Sequence, residues 1–168
     1  MRSRYLKTLL FPLIYAAFIN GCAPVISEKT LTSVDRAIGF EDLVKKGGKH
    51  TGKTVLLGGR ILRVENLEDI TVIEVLEEIL SSRLKPSGPE ASRGRFLAEF
   101  SGFKDPAVFY PGALITVAGV LKRFEKRILG KAELTYPVLS PVEHHLWSEG
   151  YDEGPRIGFG FGISITGD

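Results

Sequence analysis

The sequence predicts an all-β fold, a small five-stranded Greek-key barrel of the OB type, with one short helix or turn between the third and fourth strands. Three observations carry this expectation. Five segments between Lys53 and Val138 are rich in Val, Leu, Ile and aromatic residues, and several alternate apolar with polar positions. Gly58-Gly59 and Gly119 stand inside two of the longer segments, where bends let a strand curl around a closed core. Asp105-Pro106 divides the third segment from the fourth with an N-cap residue followed by proline at a first helical position. A two-sheet β-sandwich is the alternative, and strand order does not follow from the pattern.

In chain order, Phe40-Glu41-Asp42-Leu43-Val44-Lys45-Lys46 reads as a short helix stopped by Gly47-Gly48. Its acids lie at the start and its lysines at the end, as the helix dipole favours. Thr54 to Val64 is the first strand, with the paired glycines marking a bulge or sharp bend. Asp69 to Leu76 is the second, after a turn at Glu65-Asn66-Leu67-Glu68; its continuation from Leu76 to Leu84 fits either strand or helix. Lys85-Pro86-Ser87-Gly88-Pro89 is a loop. Gly94 to Phe100 alternates Phe96, Ala98 and Phe100 against Arg95, Leu97 and Glu99. One helical turn from Asp105 reaches Tyr110 before Pro111-Gly112 ends it. Leu114 to Phe124 then points Ile115, Val117, Gly119 and Leu121 inward, and Ala132, Leu134, Tyr136 and Val138 form the inner face of the fifth strand. Pro137 places that strand at an edge or limits its pairing. Near the end, Ile157, Phe159, Phe161, Ile163 and Ile165 alternate with small residues, as an additional strand, a partner contact or a tail would.

The N-terminus has a different chemistry. Arg2, Arg4 and Lys7 precede an apolar run from Leu9 to Ile19, the order of a bacterial export signal. The run has 11 residues, well short of the roughly 20 a spanning helix needs. Ile19-Asn20-Gly21-Cys22 resembles a lipobox, which ends in the cysteine that receives diacylglycerol; Asn20 departs from the usual small residue. Cys22 is the chain's single cysteine, so no internal disulfide can form, and lipidation removes a thiol that an oxidising compartment would attack. The expected organisation is a cleaved signal peptide over 1–21, a lipidated N-terminus and tether over 22–39, a barrel domain over 40–148 and a Gly/aromatic segment over 149–168. The signal holds three of the 22 basic residues and no acid, leaving 19 basic against 20 acidic residues. So neutral a mature chain lacks the basic stripe that nucleic-acid binding needs, and none is expected as a partner. The expected partner is the lipid bilayer, through acylated Cys22, with room for a second envelope protein. Ala23, not Asp, follows the cysteine, which by the enterobacterial sorting rule directs a lipoprotein to the outer membrane.

Several stretches together resemble one family. They are Gly52-Lys53-Thr54-Val55-Leu56-Leu57-Gly58-Gly59-Arg60-Ile61, Thr71-Val72-Ile73-Glu74-Val75-Leu76, Ser92-Arg93-Gly94-Arg95-Phe96-Leu97-Ala98 and Gly102-Phe103-Lys104-Asp105-Pro106. Tyr110-Pro111-Gly112-Ala113-Leu114-Ile115-Thr116-Val117-Ala118-Gly119, Tyr136-Pro137-Val138 and Leu146-Trp147 follow in order. The whole is similar to the Slp family, the starvation-inducible outer-membrane lipoproteins of Gram-negative bacteria, from Lys29 to Trp147 and at the lipobox. Glu77-Glu78-Ile79-Leu80 departs from the family's Pro-Leu turn. The resemblance implies an outer-membrane location, a link to stress or stationary-phase physiology, and no catalytic activity.

Candidate chemistry is sparse. Arg93 and Arg95 are the candidate ligand-binding residues, because guanidinium groups pair with phosphate and carboxylate; the competing reading pairs them with Glu or Asp of the chain. Glu74, in an apolar strand, is expected to bridge to Arg60 or Arg95. Adjacent His144 and His145 point to opposite faces of a strand, and His50 has no partner at metal-ligand spacing, so no metal site, no cofactor and no catalytic residues are expected. Gly158, Gly160 and Gly162 alternate singly and do not form a nucleotide loop. The expected function is a non-enzymatic envelope lipoprotein, a structural or binding module. The alternative is a periplasm-facing OB-like domain that binds a small anionic ligand or oligosaccharide, or an enzyme.

Overall fold

Five strands and two short helices order the chain in a computed structural model that describes residues 24–147. The signal segment, Cys22, Ala23 and the alternating stretch over 157–165 lie outside the described residues. Helix α1 is Glu28–Ser33 and α2 is Phe40–Lys46, followed by a 3-10 turn, Gly47–His50. The strands are β1 Thr54–Asn66, β2 Ile70–Glu77, β3 Arg95–Ser101, β4 Leu114–Leu129 and β5 Ala132–Trp147. They close into a barrel in the order β1-β2-β3-β5-β4, with β4 returning to β1. Every neighbouring pair is antiparallel except β3 and β5, a short parallel seam of Leu97 against Val138 and Ala98 against Leu139. Closure rules out the two-sheet alternative. Pro137 lies at the start of that seam and has no N–H to offer it, which limits pairing as its chemistry requires.

The paired glycines let β1 run close against its neighbours. A Cβ on Gly59 would stand 1.8 Å from the Leu76 carbonyl oxygen, and one on Gly58 would stand 2.5 Å from Leu80 Cδ2. The β1–β2 register then slips between Ile61 and Arg63. A Cβ on Gly119 would meet the Ser140 carbonyl oxygen at 2.9 Å, beside the β4–β5 slip at Ala118/Gly119. These are close backbone approaches of the kind that make glycine necessary in a strand.

The interior is filled from alternate positions of the strands. Ile73 and Val75 of β2, Phe96, Ala98 and Phe100 of β3, and Ile115, Val117 and Leu121 of β4 share one buried cluster. Phe40 and Leu43 of α2 join it, so this helix closes one end of the barrel. Its Gly47 C-cap has φ 52°, and Glu41–Lys45 and Asp42–Lys46 pair at 2.7 Å along its exposed side. Between β3 and β4 there is a turn and no helix: Asp105 Oδ1 accepts from Ala107 N at 2.8 Å, and the Asp105 carbonyl accepts from Val108 and Phe109 N at 2.9 Å.

Four sequence expectations need correction. The fifth strand's inner face is not Ala132, Leu134, Tyr136 and Val138. Leu139 enters the interior, whereas Tyr136 and Val138 pack with Leu97 in a separate cluster on the outer side. Tyr136, Pro137, Val138 and Leu139 are all buried, so alternation carries no phase there. Second, β4 and β5 run on past Phe124 to a two-residue turn at Gly130-Lys131. That arm is charged instead of alternating, and cross-strand pairs such as Lys126–Glu133 at 2.8 Å lace it together. Third, the stretch from Leu76 to Leu84, which fits either strand or helix in the sequence, continues as neither; β2 ends at Glu77 and the chain turns back through an isolated Leu80–Pro86 bridge.

The fourth concerns the residues before α2, expected as a tether. They pack on the barrel. Ser27 caps α1 by accepting from Thr30 N at 3.3 Å, and its own N and Oγ donate to Glu143 Oε1 and Oε2 at 2.8 and 2.7 Å. The Thr30 and Ser27 hydroxyls hold the Glu143 carboxyl below the usual carboxylate range. Ile26 is fully buried, and Val34 bridges to Thr54 alongside β1. Ile26 and Val34 cluster with Ala118, and Leu56 of β1 packs against them, so the segment covers the outer face of β1 and β4.

Candidate functional site

Arg93 and Arg95, singled out from the sequence, stand at the entry of β3 and face different acids. Arg93 Nε donates to Glu77 Oε2 at 3.3 Å, and Arg93 Nη2 bonds Glu77 Oε1; the Glu77 side chain is buried. Arg95 Nη1 donates to Glu74 Oε1 at 2.7 Å, and the Tyr136 hydroxyl donates to the same oxygen at 3.3 Å. Each carboxylate raises the pKa of its arginine. Glu74 therefore takes Arg95, one of the two partners expected for it. Arg60 goes elsewhere: its Nε lies 3.4 Å from Glu78 Oε1, and its Nη1 donates to the Gly112 carbonyl at 2.8 Å. The departure at Glu77-Glu78 thus places two buried acids where β2 leaves the barrel, each facing an arginine.

The adjacent histidines separate as strand geometry demands. His144 packs edge-on to Phe100 with centroids 5.0 Å apart and lies 5.7 Å from Phe109, while His145 meets Trp147 at 4.6 Å on the opposite face. His50, with Nε2 buried and unbonded, belongs to the 3-10 turn after α2. Among the described residues no group of three His, Cys, Asp or Glu side chains is placed to hold a metal ion.

Burial, with the Lys104 and His145 charges nearby, pushes the His144 imidazole below its ordinary 6.5, and burial does the same to His145. The unfolded chain then takes up protons that the folded chain refuses. Stability is complete above about pH 6.5 and falls as pH drops below it. The carboxylates held low, Glu99 by Arg123 and Lys122 among them, lose their contributions only below about 4.5. Thermal unfolding midpoints measured between pH 7.5 and 5.5 should fall, and His144→Phe, which keeps the ring contacts, should flatten that fall. An unchanged slope in the variant would remove His144 as its source.

A concave surface lies elsewhere, where the docked N-terminal segment meets the barrel. A pocket of about 750 Å³ opens between α1, β1, the loop after β2 and the end of β5. Val25, Leu31 and Val34 form one wall, and Leu56, Leu84 and Trp147 the other. That size falls within the ~300–1,000 Å³ of small-molecule pockets, and the apolar lining with a few polar groups is also typical of them. Leu84 is the only non-glycine residue with positive φ among those described, at 64°. Such a conformation costs about 1–3 kcal/mol and persists where its surroundings impose it. Here Thr116 Oγ1, fully buried, donates to the Leu84 carbonyl at 2.6 Å and accepts from Trp147 Nε1 at 3.0 Å. One hydroxyl thus holds both the strained loop and the indole.

Three of the pocket's charged side chains are Asp35, Arg36 and Arg83. Asp35 faces Lys53 Nζ at 4.0 Å. Arg36 and Arg83 are exposed and have no ion-pair partner among the described residues. Asp35, Arg36 and Arg83 do not stand out in the sequence, and Leu56 and Trp147 do so only as members of the stretches that resemble a family. For the N-terminal wall the signal is the scatter of Val25, Leu31 and Val34 among polar neighbours without a period.

Residues 19–159 match the outer membrane lipoprotein Slp family. The chain belongs to that family. The matched span covers the five strands, the pocket and the Ile19-Asn20-Gly21-Cys22 motif. Among curated relatives, an uncharacterized protein of Haemophilus influenzae is 39% identical over 97 residues, which are 57% of this chain and 52% of that protein. The uncharacterized lipoprotein YeaY of Escherichia coli is 26% identical over 133 residues, 79% of this chain and 68% of the relative. The outer membrane protein Slp of Escherichia coli is 29% identical over 100 residues, 60% of this chain and 53% of the relative. The chain therefore aligns with only about half the length of two of these three relatives. The stretches singled out in the sequence resemble this same Slp family, and this chain's own fold is an all-β closed barrel.

Proposed function

We propose that this Slp-family protein is a lipid-anchored outer-membrane module, acylated at Cys22, facing the periplasm, that acts by binding and not by catalysis. The observation that carries the reading is the lipobox inside the family match, which begins at residue 19. The placement of the next residues agrees with it. Ser27 is bonded to Glu143 and Ile26 is buried, so only a few residues separate the anchor from the barrel. The domain then rides close to the bilayer instead of reaching across the periplasm. A non-enzymatic role accords with side chains that neutralise one another: Arg93 with Glu77, Arg95 with Glu74, and Glu99 with Lys122 at 2.6 Å.

Separating the two membranes on a sucrose gradient tests the assignment. Native protein should co-sediment with outer-membrane markers, and Ala23→Asp should shift most of it to the inner membrane. Protease added to intact cells should leave the protein whole, and digestion should follow once the outer membrane is opened. Native protein found with inner-membrane markers, together with no response to Ala23→Asp, would refute the location. Digestion in intact cells would refute the orientation.

A further inference from the structure

The pocket lies near where the membrane anchor must be. Pro24 lines it, and Pro24 is two residues from Cys22. Two residues of extended chain reach at most ~7 Å, so acyl chains on Cys22 would start close to the pocket. Its walls are hydrocarbon and indole, and its volume of about 750 Å³ lies within the range of small-molecule sites. Its apolar part is held open by a strained Leu84 and a bonded Trp147, both fixed through buried Thr116. Arg36 and Arg83 add two guanidinium groups without acidic partners among the described residues, whereas Asp35 is answered by Lys53. An apolar slot with two such cations matches a molecule with a hydrocarbon chain and an anionic head. The cysteine's own diacylglyceryl group has no anion to offer them.

We propose that this pocket binds one hydrocarbon chain of a separate anionic lipid, with its phosphate or carboxylate at Arg36 and Arg83. The inference rests on the Cys22 anchor proposed above for bringing the pocket to a lipid source, but not for the site itself. The protein would then hold a single-chain lipid beside the leaflet, as a reservoir or a sensor of such lipids. The head could belong to a free fatty acid or to a lysophospholipid.

Trp147 is the only tryptophan of the chain and lines the pocket, so its fluorescence reports on this site alone. The mature chain from residue 22 to 168 carrying Cys22→Ser is titrated with dibromostearate and, separately, with brominated lysophosphatidylglycerol. Saturable quenching by either, reversed by the unbrominated lipid, is the expected result, and the arm that saturates at lower concentration names the source. Brominated stearyl alcohol, which lacks the charge, should bind more weakly. Exposed ion pairs are individually weak, but reversing both cations turns two attractions into two repulsions, so Arg36→Glu with Arg83→Glu should weaken binding about tenfold. Unchanged circular dichroism in that variant separates lost binding from lost folding. Acylated native protein in detergent should take the same lipid. No saturable quenching by either lipid overturns the proposal, as does equal binding of the alcohol with indifference to charge reversal. If the Cys22→Ser chain binds but the acylated protein does not, its own acyl chain is the occupant, and the separate lipid is refuted. Palmitate labelling of the native protein reads the anchor independently, so its failure leaves the pocket titration intact.

Discussion

Cys22→Ser is expected to remove this protein from the outer-membrane fraction and to leave the segment before residue 22 uncleaved. The cause is the loss of a nucleophile that no other residue can replace, since the chain has one cysteine. A hydroxyl is far less nucleophilic than a thiolate, so lipid transfer fails, and the cleavage that depends on it fails with it. The energetic consequence is large. Each buried methylene contributes about 0.8 kcal/mol, and a single acyl chain gives only marginal, reversible binding with K of roughly 10⁴ M⁻¹. A lipoprotein cysteine carries two or three chains, which lowers spontaneous release to a negligible rate. The apolar run before it, at 11 residues, is too short to replace them as a span. Radiolabelled palmitate should enter the native chain and not the variant. Equal label in both would refute Cys22 as the attachment point.

Gly59→Ala is expected to be the most destabilising single-methyl addition in the barrel. Its Cβ would lie 1.8 Å from the Leu76 carbonyl oxygen and 3.0 Å from Val75 Cγ1. The first of these is backbone, which no rotamer change can move aside. Relief requires β1 and β2 to part where Arg60 pairs with Leu76, next to the bulge at Ile61/Arg63. Overpacking of this kind costs about 3 kcal/mol or more. For a domain of this size the melting temperature should fall by roughly 10 °C. Gly48→Ala is the control: its Cβ would meet nothing within 4 Å, and the change should stay within about 0.5 kcal/mol. Urea unfolding of both variants, with an unchanged slope, supplies the comparison. A Gly59→Ala midpoint equal to that of Gly48→Ala would show that the strands yield at little cost.

Much of the barrel was legible in the chain because its signals are local. Five apolar segments became five strands. The inward sets Phe96/Ala98/Phe100 and Ile115/Val117/Leu121 face the interior because Arg95 and Glu99 on the other side of β3 carry charge that must reach polar partners. Gly47 stops α2 in the conformation only glycine adopts freely, and Gly59 sits where two backbones nearly touch. Glu74 found Arg95 because both stand on the outer side of neighbouring strands, β2 and β3. The expectation of lipid attachment at Cys22 likewise rests on its immediate neighbours in the sequence alone, a local signal.

What only the tertiary structure decided lies where burial comes from two sides or from distant elements. Periodicity has a phase only when one face is wet. Residues 136–139 are buried throughout, so nothing in their order says that Leu139 turns inward and Tyr136 outward. Residues 24–38 show no period because they meet the barrel through a bend, a short helix and a single bridge, which share no common repeat. Their partners, Leu56 and Ala118, are the outward residues of strands whose inward faces already supply the core. The pocket follows from that docking. Val25, Leu84 and Trp147 are far apart in the chain and share a surface only because β1, β4 and β5 bring the two ends of the domain together. The sequence alone determined the strands and their bends, whereas a cavity between segments far apart in the chain exists only once the barrel has closed and a second layer has packed on its outside.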